Sequence, residues 1–226
     1  MEQSIADGRS VELNLNYNIL NSERRAMCPQ LAAFKDDFYL AGGTGLALQI
    51  GHRISDDFDF FTSHQFENSR MLKRVADVFP EHDIIQLQNE EQTLTLLLNS
   101  VKISFFYIEQ EPITPLLDSE YFRIASVPEI GVFKLLALFR AAFKDYVDLF
   151  FILKQYSLKD LFSLARKKYR GIDESLYLKA LMSYEDIDPS PIHYGEGYET
   201  APQVIFESMQ HHVHCYLKES SSVKGV

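Results

Sequence analysis

Asp57 and Asp59 stand two apart in the run Asp56-Asp57-Phe58-Asp59-Phe60-Phe61. On an extended strand, residues i and i+2 share a face, so these two carboxylates point the same way and Asp56 points the other. Such a pair repels itself unless a cation lies between its members. Hard oxygen ligands of this kind suit Mg²⁺, which takes one or two carboxylates and completes its shell with substrate phosphates and water. Upstream lies Gly42-Gly43-Thr44, a glycine turn entering a helix, whose free backbone N–H groups can hold a phosphate. Gly43 lets a phosphate approach the backbone closely, and the Thr44 hydroxyl is a further donor. Arg53 and Ser55 fall between turn and acids, where Arg53 can pair with a phosphate or orient a carboxylate. His52 is as readily a structural donor as a catalytic group. An anion cradle beside a metal clamp is the equipment of phosphoryl or nucleotidyl transfer. The bland alternatives are a solvated acidic turn and a plain helix entry. The aromatic flanks of the acids, Phe58, Phe60 and Phe61, weigh against the first.

A second constellation lies downstream: Lys134, Arg140, Lys144, Asp145 and Asp148. Lys134 sits in the apolar run Phe133-Lys134-Leu135-Leu136-Ala137-Leu138, where a lone ammonium is costly to bury without a partner. It can reach a triphosphate as a point charge. Asp145 or Asp148 can pair with it or orient Arg140, and the alternative is an interhelical salt bridge that only ties two helices together.

These elements must be positioned by a fold large enough to do so. The chain has 226 residues, 46% of them hydrophobic, with 17 Phe, 12 Tyr and no Trp. That suits one large domain or two small ones. No apolar run approaches the roughly 20 residues of a membrane helix, and residues 1–16 lack the apolar centre of a signal peptide. Cys28 and Cys215 have no metal-ligand spacing and read as reduced thiols of a cytoplasmic protein. The net charge of −10 argues against a broad nucleic-acid-coating surface but leaves room for a local basic groove. Two basic clusters offer themselves, Arg70-Lys73-Arg74 and Arg166-Lys167-Lys168-Arg170, each otherwise a solvated helix face.

The pattern predicts a helix over 11–34, a strand at 37–41, a helix at 44–51 capped by Thr44, and the acidic strand at 56–62. A helix at 67–79 ends at Pro80, and strands follow at 83–88, 93–98 and 101–108, the last two joined by an Asn99-Ser100 hairpin. A Pro-containing loop at 112–119 precedes a short strand at 121–126. Beyond Pro128 the period is helical: a buried helix, then helices at 145–155, 158–168, 173–183 and 202–217, a loop from Asp186 to Thr200, and a frayed tail from Ser220. The expected class is α+β: a mixed β-sheet with helices over 1–127, then a helical bundle over 128–226, with the active site in the cleft between them.

The string Gly-Gly-Thr, a short helix, Gly-His-Arg-x-Ser and Asp-x-Asp-Phe over residues 38–62 resembles the AbiEii-type nucleotidyltransferases. These are toxins of bacterial type IV toxin–antitoxin and abortive-infection systems, within the DNA polymerase β-like superfamily. The basic–Asp-x-x-Asp-Leu step at Lys144–Leu149 is similar to the family's downstream pattern. The resemblance implies the nucleotidyltransferase fold, an NTP substrate, and Mg²⁺ or alternatively Mn²⁺ on Asp57 and Asp59. It implies nucleotide contacts by Gly42, Gly43, Thr44, Arg53, Ser55 and Lys134, and catalytic roles for Asp57, Asp59, Lys134, Asp145 and Asp148. An RNA acceptor, tRNA foremost, and an antitoxin partner follow from the same resemblance. The alternatives are an antibiotic-type small-molecule nucleotidyltransferase and a nucleotide-binding partner module without turnover. Many superfamily members carry a third metal-binding carboxylate on the strand beside the acidic pair, and Ser104 stands at that place here.

Overall fold

The computed structural model describes residues 14–184, 187, 189–223. Its centre is a seven-stranded mixed sheet: β1 (Tyr39–Leu40), β2 (Asp57–Thr62), β3 (Ile84–Glu90), β4 (Thr93–Leu98), β5 (Val101–Tyr107), β6 (Leu117–Asp118) and β7 (Arg123–Ile124), in the order β3-β4-β5-β2-β1-β7-β6. Strand β2 runs parallel to β5 and antiparallel to β1. The β4–β5 hairpin turns at Asn99, which adopts a positive φ of 50°, a conformation asparagine tolerates.

Alternation along β2 decides what each face does. Phe58 and Phe60 are fully buried in an aromatic core with Phe34, Phe105 and Phe122, while Asp57, Asp59 and Phe61 take the opposite face. Helices α1 (Ser22–Leu31) and α3 (Asn68–Val78) cover the aromatic face through Cys28, Leu31, Met71 and Val75. The helix expected over 11–34 is broken. Residues 14–16 are irregular, 17–19 form a 3₁₀ turn, and α1 starts at Ser22 because the Asn21 side chain accepts from the Arg24 N–H. Residues 11–13 of that expected helix lie outside the described residues.

The remaining helices build a second cluster. They are α4 (Val127–Leu136), α5 (Phe143–Ile152), α6 (Leu158–Lys168), α7 (Glu174–Met182) and α8 (Pro202–Val223). Helix α4 is capped by Ser126, with Pro128 in its first turn, and is buried nearly all round, as its mostly apolar sequence predicts, with Glu129 and Lys134 buried among the apolar residues. Gly131 lets α6 approach it: a Cβ there would lie 2.8 Å from a Leu161 methyl. Helix α6 matches its predicted span, held by a Ser157–Asp160 capping box. The tail expected to fray from Ser220 stays helical to Val223, and residues 224–226 lie outside the described ones.

Candidate active site

Helix α2 (Gly42–Ile50) follows β1 directly, and β2 returns antiparallel beside β1. This brings the helix N-terminus against the acidic strand. Gly42 adopts φ +61°, and a Cβ there would lie 2.5 Å from Asp59 Oδ2, so only glycine lets the turn pass the carboxylate. A Cβ on Gly43 would collide with the Arg53 guanidinium and lie 2.9 Å from Ser55 Oγ. Turn, guanidinium, hydroxyl and carboxylates therefore share one small space.

That space is the wall of a cleft of about 620 Å³. Gly42, Gly43, Arg53, Ser55, Asp57, Asp59 and Lys134 all line it. Phe61, Phe106 and Phe133 form an aromatic floor, with ring centroids 5.1 Å (Phe61–Phe106) and 5.4 Å (Phe61–Phe133) apart. Arg140 and Lys144 add positive charge from the helical side. The far wall is Ser190, Pro191, Ile192 and His193. This strap is bonded to the acidic segment: the Ile54 N–H donates to the His193 carbonyl at 2.8 Å, and the Gly195 N–H to the His52 carbonyl at 2.9 Å.

Asp59 is the most perturbed carboxylate of the cleft. Burial raises its pKa and the Asp57 charge raises it further, against Lys102, Lys134 and Lys144. Among the described residues no group hydrogen-bonds or ion-pairs with its side chain. Asp57 is paired with Lys102 at 2.6 Å. Asp56, just before β2 and on the rim of the cleft, pairs with Arg24 at 3.4 Å.

A buried polar network backs the cleft. Asp145 and Asp148, three apart on α5, share one helix face and are both fully buried. Lys134 Nζ reaches Asp145 at 2.7 Å and Asp148 at 2.6 Å. Arg53 grips Asp148 with two bonds, Nε to Oδ1 at 2.7 Å and Nη2 to Oδ2 at 2.9 Å. His52 Nε2 bonds the same Oδ1 at 2.8 Å, and Arg140 bonds Asp145 at 2.8 Å. Burial alone would raise the Asp148 pKa; Lys134 and Arg53 overcome it and hold the carboxyl well below the usual range. Burial likewise lowers His52 against the pull of Asp148, so the ring is neutral and its Nε2–H donates.

Three of the predicted site residues do not line the cleft. Thr44 does not cap α2. The helix starts two residues earlier, and the buried hydroxyl donates to the Asp57 carbonyl, tying α2 to the acidic strand. Asp145 and Asp148 lie behind the wall, beneath Lys134 and Arg53. Two participants escaped the sequence reading. Lys102 carried a signal, its place two before Ser104 on the same strand face; the strap at 190–193, an irregular Pro-Ser-Pro segment, carried none. Lys168, taken as part of a solvated basic face, is buried and paired with Glu129 at 2.5 Å.

The donor set suits a divalent ion: a half-buried, unpaired carboxylate beside a second one, against glycine turns that leave room for phosphate. Among the described residues no third His, Cys, Asp or Glu joins them as a ligand group, so phosphate and water would complete the shell.

Comparison with known proteins agrees with the geometry. A crystallised Helicobacter pylori protein, JHP933, covers 92% of this chain and 97% of its own, with 23% identity and TM-score 0.54. A second H. pylori structure, solved as a candidate nucleotidyltransferase, covers 92% and 99% with 22% identity and TM-score 0.56. At such identities the likeness is one of fold. The protein aq_aa25 of Aquifex aeolicus (strain VF5) is 38% identical over 165 residues, 67% of this chain and 75% of that one. The family described as nucleotidyl transferase AbiEii toxin, type IV TA system, matches residues 25–200. The chain belongs to the AbiEii family of nucleotidyltransferase toxins.

Proposed function

We propose that this enzyme transfers a nucleoside monophosphate from an NTP to a hydroxyl of an RNA acceptor, tRNA foremost, as the toxin of a type IV pair whose antitoxin restrains it. The observation that carries the reading is the placing of Asp57 and Asp59 on one face of β2, directly opposite the N-terminus of α2. The acceptor oxygen would attack the α-phosphorus, the α–β bridging bond would break, pyrophosphate would leave, and the hydroxyl proton would pass to solvent.

Each part of the cleft has a role in that step. Asp57 and Asp59 would hold Mg²⁺, which when bound neutralises the phosphates and the leaving pyrophosphate. The N–H groups of Gly42 and Gly43, with Ser55 Oγ, would hold phosphate oxygens. Arg53 and Lys134 would present positive charge there, and Arg140 and Lys144 would extend it. Asp148 and Asp145 are positioning residues: they fix Arg53 and Lys134 so that catalysis needs little reorganisation. The aromatic floor offers stacking area for a base. Cytoplasmic residence is part of the proposal, and no helix among the described residues is long and apolar enough to cross a membrane.

The test is transfer of label. With Mg²⁺ and each NTP in turn, label at the α-phosphate should move to RNA and label at the γ-phosphate should not. Label on a small hydroxyl compound instead would support the antibiotic-type alternative. No consumption of any NTP would support the module without turnover.

A further inference from the structure

Strand β5 sets two residues beside the carboxylate pair. Parallel register matches Lys102 to Asp57 and Ser104 to Asp59. Residues matched in this way share a sheet face. Ser104 is buried, and its hydroxyl accepts from Thr95 Oγ1 at 3.3 Å. So the place where a third carboxylate could bind a second ion carries an engaged, neutral oxygen. The neighbouring place carries a half-exposed cation: Lys102 Nζ lies 2.6 Å from Asp57 Oδ2. Asp57 Oδ1 and both oxygens of Asp59 are left for one ion.

The charges agree with this division. Three carboxylates and two divalent ions sum to plus one. Two carboxylates, one divalent ion and one ammonium give the same sum, so the field facing a triphosphate is kept with one ion fewer. Lys134 cannot take this part, because its ammonium is bound by Asp145 and Asp148 on the helical side. Among the described residues, Lys102 is the cation that ion-pairs with Asp57.

We propose that Lys102 is the built-in counter-cation of the Asp57–Asp59 pair, standing where a second divalent ion would stand, so that transfer in this chain uses one ion at the pair. The proposal rests on the reading of that pair as metal ligands. It makes Lys102 a positioning residue that acts through Asp57, and it compensates for the missing carboxylate at Ser104.

The test combines metal binding with metal dependence. Mn²⁺ titrations, followed by the paramagnetic resonance of the free ion, would compare the wild type with Lys102→Met, Lys102→Gln, Lys102→Arg and Asp59→Asn. Removing an ammonium that competes for Asp57 should tighten Mn²⁺ about threefold to tenfold in the Met and Gln variants. The Arg variant should stay near the wild type. With preformed Mg–NTP at saturation, the wild-type rate should not respond to further free Mg²⁺. The Lys102→Met rate should fall and be restored as free Mg²⁺ rises, since an ion must now fill the ammonium's place. Unchanged Mn²⁺ affinity in both neutral variants, or no rescue by Mg²⁺, overturns the proposal while Asp59→Asn still loses Mn²⁺. If Asp59→Asn binds Mn²⁺ like the wild type, the metal reading of the pair itself falls, and this proposal with it.

Discussion

Burial and the neighbouring Asp57 oppose a charge on Asp59, and that cost belongs to the metal-free protein. Its raised pKa has a definite sign in stability. The folded state binds the proton more tightly than the unfolded chain does, so the penalty is full above the folded pKa and is relieved as pH falls through it. Asp59→Asn should therefore raise the apo melting temperature at neutral pH, by about 2–4 °C per kcal/mol relieved. The same variant should abolish transfer and lose the stabilisation that Mg²⁺ gives the wild type, both readable by thermal melts with and without metal. A lower apo melting temperature would mean that Asp59 is held by partners rather than strained. Gly43→Ala probes the other half of the site. Its backbone is helical, so the helix is kept, but the Arg53 guanidinium must yield to the methyl and the melting temperature should fall by a few degrees. The methyl would occupy the space shared by Arg53 and Ser55, and NTP affinity should fall about tenfold or more, by about 1.4 kcal/mol. At this scale the sequence was informative where spacing alone sets direction: Asp57 and Asp59 share a face because strands alternate. It misled at Thr44, where a favoured capping residue falls inside the helix and bonds the next strand instead.

At the scale of elements, the ion network joins α4, α5 and the segment after α2, and its members are not interchangeable. Asp148 serves Arg53, Lys134 and His52 together. Asp148→Ala would leave two buried cations facing an empty place and should destabilise the fold by about 3–5 kcal/mol, seen in denaturant melts. Because its folded pKa is depressed, its contribution is full above the unfolded value of about 3.9 and is lost as pH falls toward the folded one. The wild type should thus lose stability steeply below about pH 4, and Asp148→Asn should flatten that limb of the curve. The strap gives a second element-level test. A Cβ at Gly195 would collide with the Gly51 carbonyl, so Gly195→Ala should lift the strap from the acidic segment. KM for NTP should then rise with little change in melting temperature. Helix spans were readable from periodicity, most closely in α6. The sequence offered Asp145 or Asp148 as the partner of Lys134; that both bind it was not readable, because they sit eleven and fourteen residues away and only the packing of two helices joins them. The strap could not be found either, since an irregular segment has no period and owes its place to two backbone hydrogen bonds.

For the whole molecule, a net charge of −10 leaves an anionic substrate to local attraction. Arg53, Lys134, Arg140 and Lys144 line the cleft together with Asp56, Asp57 and Asp59, so an anionic substrate would be held by these cations and by a divalent ion on the acids, against the global field. The basic cluster at the end of α6 is divided between interior and surface. Lys168 is internal, and reversing it would bury two carboxylates side by side, so acceptor binding should be probed at exposed Lys167 instead. Lys167→Glu should weaken RNA binding and flatten its salt dependence with NTP affinity unchanged, if RNA leaves the cleft along α6. An unchanged salt slope would route the acceptor past Arg140 and Lys144. The architecture was legible as a sheet followed by helices because the apolar period changes near Pro128. The cleft between sheet and helices was expected too, but not its far wall at 190–193, which lies far from the acidic strand in sequence. The central claim, that Asp57 and Asp59 drive Mg²⁺-dependent nucleotidyl transfer, is tested most directly by pyrophosphate release. With RNA, Mg²⁺ and each NTP, the wild type should release pyrophosphate in step with α-phosphate transfer, and Asp57→Asn and Asp59→Asn should release none while remaining folded. Pyrophosphate release at wild-type rates in either variant, or none from the wild type with any NTP and acceptor, would contradict it.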